Sequence, residues 1–282
     1  MAFIHEAIGE IVWDPKGEFE AGERVVMIPN TPMEEDSVIA ENYLRTSKFR
    51  ASGFDGFMQD VVNMRRDRIV RVPRNINPFV AAFTELVSVS VHAIDRFDKI
   101  AHERRKTVGI WGDGNLGYIT AIFFKAMFPE VKLCIFGLDE NKLSDFTFAD
   151  DTFSITSIPD DLSIDHAFEC VGGEGSPKAI NQIIDYINPE GTISILGVSE
   201  NPVAINTRMI LEKGLRMFGS SRSGRKDFEK TIALYQSNPE IVEYLQNIIG
   251  ATVNVHTVED MKKAFELDRQ NAFGKTIMIW NK

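Results

Sequence analysis

The sequence has 282 residues, 44% hydrophobic and 26% charged, a balance that supports a buried core and excludes a disordered chain. A formal net charge of −10 argues against nucleic acid or anionic lipid as a partner held by charge. The two cysteines, Cys134 and Cys170, sit in apolar, strand-like stretches, form no C-x-x-C clip, and point to a reducing cytoplasm; no apolar run is long enough for a membrane span.

Residues 1–77 read as β-rich. Strands are expected over 9–13 and 24–28, separated by Asp14-Pro15-Lys16-Gly17 and Glu20-Ala21-Gly22, clusters that favour turns. Residues 31–52 form a polar excursion with a short helix expected around 37–44. A further turn, Gly53-Phe54-Asp55-Gly56, leads into an extended stretch over 57–62. His5-Glu6 pairs an imidazole with a carboxylate, both acceptable to zinc, although such a dipeptide also arises by chance. The basic run Arg65, Arg66, Arg68, Arg71 and Arg74 suits either a substrate phosphate or, more plainly, a solvated strand face.

Residues 83–94 predict an amphipathic helix carrying Glu85 among apolar neighbours. A buried carboxylate needs a partner, which leaves a helix cap, an arginine pair or a metal as readings. The stretch 107–127, TVGIWGDGNLGYITAIFFKAM, runs from a short apolar strand through Gly112-x-Gly114-x-x-Gly117 into a helical apolar pattern. That order predicts a dinucleotide turn: Gly112 for the tight bend, Gly114 for approach of a pyrophosphate, Gly117 for close packing. Asn115 and Leu116 open the helix whose N-terminus faces the phosphates.

A second strand is expected over 131–136. Where an acid commonly binds the ribose, Gly137 stands instead, which favours NADPH over NADH, and Lys142 is placed to pair with a 2′-phosphate, while Asp139 and Glu140 close by count against it. Strands over 166–170, 191–198 and 215–220 and a helix over 179–187 continue the alternation. They predict a doubly wound parallel sheet whose ligand lies near Gly112, Cys170-Val171-Gly172 and Gly197-Val198. Cys170 reads as an apolar lining residue, with no base nearby to activate it. Arg222 follows the last strand and reads as a cofactor-phosphate contact or a surface arginine. Helices over 228–235, 241–249 and 258–267 and strands over 252–257 and 274–280 complete the chain. The domains expected are 1–93, β-rich and catalytic; 94–227, nucleotide-binding; and 228–282, returning to the first.

The order of these motifs resembles the medium-chain dehydrogenase/reductase superfamily, in its zinc polyol dehydrogenase branch. The matching pieces are His5-Glu6 followed by Gly9, TELVSVSVHA, WGDGNLG, FECVGG, ILGV and GKTIMIW. The resemblance implies a Rossmann sheet beside a discontinuous, β-rich GroES-like catalytic domain. It also implies a cofactor pair of NADPH and zinc, with His5, Glu6 and Glu85 as metal ligands and catalytic residues. The closer likeness, in FDGFMQD, DHAFECVGG and GSSRSG, implies reduction of D-ribulose 5-phosphate to D-ribitol 5-phosphate, feeding CDP-ribitol for teichoic acid or capsule synthesis. It implies a homodimer through Rossmann edge strands and association with a ribitol-5-phosphate cytidylyltransferase. Members of the family begin well upstream of the position of His5 and carry a cysteine ligand there, so the catalytic domain is expected to be N-terminally shortened. A non-catalytic NADP-binding subunit and a zinc-free quinone reductase are the rival readings.

Overall fold

A computed structural model describes residues 1–271 and 273–280. The chain forms two compact units, one of residues 1–92 and 222–282, the other of residues 93–221.

The first unit opens with β1 (Ile8–Glu10), β2 (Arg24–Met27), β3 (Asn30–Thr31), β4 (Lys48–Arg50), β5 (Gly53–Phe54) and β6 (Ile69–Arg71). These make two three-stranded sheets, ordered β1-β2-β6 and β3-β4-β5. The strand expected over 9–13 ends at Glu10. The helix expected around 37–44 is a single 3-10 turn, Glu41–Tyr43, and residues 57–62 form no strand. Phe57 instead packs with Phe19, Val25, Met27 and Ile69 as an apolar patch; burial of one ring there does not need a ladder. The basic run is paired throughout: Arg65 with Asp67, Arg66 with Asp14, Arg68 with Glu41 and Arg71 with Glu23, while Arg74 donates to the Gly22 carbonyl.

Next come α1 (Pro78–Ala81), capped by the Asn77 side chain, and α2 (Thr84–Ile100). The second unit contains β7 (Thr107–Trp111), α3 (Asn115–Met127), β8 (Lys132–Gly137), α4 (Glu140–Ser144), β9 (Asp151–Ser154), β10 (Ile164–Glu169), α5 (Ser176–Tyr186), β11 (Ile187–Ile195), α6 (Thr207–Lys213) and β12 (Arg216–Gly219). Its six strands are parallel and ordered β12-β11-β10-β7-β8-β9. That order reverses direction between β7 and β10, which creates the crevice where α/β sheets bind ligands. Helices on both faces account for the near-continuous apolar strands: every residue of β10 is buried. Trp111 stacks on Phe136 at 3.7 Å between ring centroids, with the planes 10° apart. α5 buries Ala179, Ile180, Ile183 and Ile184, the stripe of an amphipathic helix.

The chain then returns to the first unit through α7 (Arg225–Ser237), α8 (Pro239–Leu245), β13 (Ile249–Val255), α9 (Val258–Gln270) and β14 (Lys275–Trp280). A capping box between Thr257 and Asp260 starts α9, each side chain satisfying a backbone donor of the other. β13 and β14 pair in parallel. Among the described residues no helix is long and apolar enough to cross a membrane.

Candidate functional site

Two clusters, one in each unit, hold the residues singled out by the sequence. In the second unit the glycine turn links β7 to α3. Gly112 adopts φ +126°, a conformation that favours glycine, and its N–H donates to the Phe136 carbonyl at 2.9 Å. A Cβ on Gly117 would lie 1.9 Å from the Gly112 carbonyl oxygen, whereas one on Gly114 would meet nothing within 4 Å. Gly117 therefore closes the turn, and Gly114 leaves open the side a pyrophosphate would approach. Asn115 and Leu116, half-buried, form the first turn of α3.

The other strand ends are held by a carboxylate that the motif reading passed over. Glu169, fully buried, accepts the N–H groups of Val171 and Gly172 through Oε1 and that of Gly197 through Oε2, at 2.8–3.2 Å. One side chain thus fixes both loops, 170–172 and 197–198, at the carboxyl edge of the sheet. Val198 and Val171 stay exposed there, offering apolar faces beside the turn. A buried acid at the end of an apolar strand was the available signal. Cys170 donates to Thr120 Oγ1 at 3.8 Å, and burial pushes its thiol far above the usual range, which leaves it inert.

At the end of β8 the carboxylates are already engaged. Asp113 Oδ2 accepts from the Leu138 and Asp139 N–H groups at 2.6 and 2.8 Å. Asp139 caps α4 by accepting from Asn141 and Lys142. Gly137 itself offers no side chain to a ribose 2′-hydroxyl, and the two acids beside it, Asp113 and Asp139, each spend one carboxylate oxygen on backbone N–H groups. Lys142 is half-buried, and its ammonium has no ion pair among the described residues.

In the first unit His5, Glu6 and Glu85 converge: one ligand atom from each lies within 4.8 Å of the others. The segment before β1 supplies the first two and the opening turn of α2 the third. The His5 Nε2 to Glu85 Oε2 separation is 3.8 Å. Glu85 is 4% exposed. Burial, then the charge of Glu6, pushes its carboxyl well above the usual range. Burial also lowers the pKa of the His5 imidazole, keeping it neutral and able to donate a lone pair.

One imidazole nitrogen and two carboxylate oxygens form a donor set that fits zinc, and a desolvated carboxylate such as Glu85 is stabilised by an adjacent cation. The cation already present is Lys275, at the start of β14, whose ammonium pairs with Glu6. Its position, 269 residues from Glu6 in the chain, put it beyond any local pattern. Phe49, from the polar excursion, packs edge-on against the His5 ring at 5.3 Å. An aromatic residue isolated in a polar stretch was its only signal.

Residues 143–237 match the family model described as zinc-binding dehydrogenase. Over 280 residues the chain is 55% identical to ribulose-5-phosphate reductase 2 of Staphylococcus aureus, covering 99% of this chain and 82% of that protein. It is 53% identical to the ribulose-5-phosphate reductase of Bacillus spizizenii, with the same coverage. The crystal structure of S. aureus TarJ in complex with NADPH superposes with a TM-score of 0.90 at 49% identity, covering 100% of this chain and 82% of that one.

Proposed function

The chain belongs to the medium-chain dehydrogenase/reductase superfamily, among the ribulose-5-phosphate reductases, and from that premise we propose that it reduces D-ribulose 5-phosphate to D-ribitol 5-phosphate with NADPH in a zinc-dependent reaction. The observation that carries this reading is the convergence of His5, Glu6 and Glu85, whose ligand atoms lie within 4.8 Å of one another.

NADPH supplies the hydride, and zinc bound at the trio supplies Lewis acidity toward the ketone oxygen. The rest belongs to the chain. Neutral His5 offers a nitrogen, and Glu6 and Glu85 offer oxygens. Lys275 offsets the negative charge of Glu6 while the cluster stands alone. Gly114 leaves room for a pyrophosphate at the N-terminus of α3, the end of a helix that favours negative charge. Glu169 holds the 170–172 and 197–198 loops so that the cofactor meets a preformed edge. With Asp139 engaged as a cap and Gly137 in the acid's place, Lys142 is left to favour a 2′-phosphate. The product is the ribitol phosphate consumed in making CDP-ribitol for teichoic acid or capsule, and a homodimer through the exposed edge at β12 fits the sheet order.

NADPH oxidation on addition of D-ribulose 5-phosphate, followed at 1:1 zinc and after chelation, tests the proposal. Turnover that chelation abolishes and zinc restores is the expected result; NADPH oxidation that a chelator leaves unchanged would remove zinc from the mechanism. The ion pair of Lys275 with Glu6 favours a second reading, in which the ammonium stands permanently for the cation and the chain binds NADPH without turnover. Metal content of the purified protein separates the two.

A further inference from the structure

The geometry points to Arg222 as the residue that anchors the phosphate of the sugar substrate rather than a phosphate of the cofactor; this rests on the ketose-phosphate reading above. Its guanidinium carbon lies 4.7 Å from the centroid of the Phe49 ring. His5 packs against the same ring, at 5.3 Å between centroids. Taken end to end, these spans place the guanidinium within about 10 Å of the imidazole. In a 2-ketose 5-phosphate the carbonyl carbon and the phosphorus are five bonds apart, roughly 6 Å when extended. A ligand oxygen sits roughly 2 Å from zinc. A pentulose phosphate with its ketone at the trio is therefore comparable in length to the upper limit on the separation of Arg222 from His5.

Charge and backbone agree with this role. The arginines at 65, 66, 68 and 71 are all held by carboxylates, whereas Arg222 is exposed and has no acidic partner among the described residues. Stacking on an aromatic face leaves the N–H edge of a guanidinium free for a bidentate anion. Arg222 also has φ +58°, unfavourable for a side chain with a Cβ and maintained only where neighbours over-determine it. Those neighbours are evident. Ser223, buried, shares a 2.7 Å hydrogen bond with Ser88, which itself donates to the Glu85 carbonyl at 2.6 Å. Gly224 donates to Asp227 at 2.7 Å. The arginine is thus presented from a segment tied to the same helix turn that carries Glu85.

The test is steady-state kinetics of Arg222→Ala and Arg222→Lys against wild type, with D-ribulose 5-phosphate, with unphosphorylated D-ribulose, and with NADPH as the varied substrate. Calorimetric binding of D-ribitol 5-phosphate to the NADP-loaded protein is the second measurement. For Arg222→Ala we expect KM for D-ribulose 5-phosphate to rise about 10- to 100-fold, with kcat and the KM for NADPH unchanged. Arg222→Lys should recover part of the loss, and D-ribulose should be handled alike by all three proteins. Ribitol 5-phosphate binding should weaken by the same factor. A rise confined to the KM for NADPH would assign Arg222 to the cofactor and overturn the inference, as would an equal loss with both sugars. Wild-type protein that neither turns over D-ribulose 5-phosphate nor binds the product would remove the underlying reading instead.

Discussion

The glycine turn of the second unit and the charged trio of the first do their work by opposite means. The turn is built from missing side chains: its geometry is steric, and it lies within six consecutive residues, Gly112 to Gly117. The trio is built from buried charge: His5, Glu6 and Glu85 come from two distant parts of the chain, and Lys275 from a third. A steric site fails when an atom is added, and it fails by unfolding or by exclusion. An electrostatic site fails when a charge is removed, and the fold can even benefit. Substitutions that separate stability from activity therefore distinguish the two.

The largest effect is expected for Gly117→Ala, where a Cβ 1.9 Å from the Gly112 oxygen forces the turn open; thermal and urea unfolding should show a loss of about 3 kcal/mol. A stable Gly117→Ala protein would break the steric half of the comparison. Glu85→Gln should lower kcat/KM by more than about 100-fold and reduce bound zinc, read by metal analysis. Its melting temperature without metal should not fall, because the substitution removes a desolvated carboxylate. If instead the variant melts well below wild type, Glu85 is a structural residue.

A third effect concerns pH. Burial, then the neighbouring His102 at 4.3 Å between ring centroids, lowers His166 from 6.5 to about 4. The unfolded chain thus binds a proton between those values that the folded chain refuses. Stability is complete above pH 6.5 and declines as the pH falls toward about 4, by at most about 1.4 kcal/mol per unit. Asp165, held low against the effect of its burial by hydrogen bonds from Asn188, Thr107 and Lys106, works in the same direction but only at more acid pH. Urea titrations at pH 7 and pH 5 should differ accordingly, and His166→Gln should flatten the difference.

A smaller change is expected for Gly114→Ala. With nothing within 4 Å of the new Cβ, the fold should stand while KM for NADPH rises about tenfold, the equivalent of roughly 1.4 kcal/mol. Cys170→Ala should change kcat less than about twofold, since a thiol raised so far by burial is not a nucleophile.

The same contrast explains what could be read from residues alone. β7, the turn and α3 were legible because a strand, three glycines and a helical stripe stand in series. Their neighbours were less so. β9 has four residues, Asp151–Ser154, at the sheet edge, with no alternation to mark them; it exists by pairing with β8. β11 begins at Ile187, four residues before the strand expected there, because Asn188-Pro189-Glu190-Gly191 has the composition of a turn. β11 instead runs through this stretch, with Glu190 in the left-handed region at φ +62° and an irregular register opposite Ile164–His166. In the trio, His5-Glu6 and the misplaced polarity of Glu85 were visible. Lys275 and Phe49 were not, since nothing in a strand's pattern says which distant carboxylate or ring it will meet.

The stacked ring at the end of β7 has a practical consequence. Trp111 is nearly sealed from solvent and immediately precedes Gly112, so its indole emission should be blue-shifted relative to the exposed Trp13. Indole emission overlaps the absorption of a reduced nicotinamide. Binding of NADPH at the glycine turn should therefore quench Trp111 by energy transfer, and oxidation of the bound cofactor should restore the emission. The protein carries an optical reporter at the entrance to its own cofactor site, with no label required.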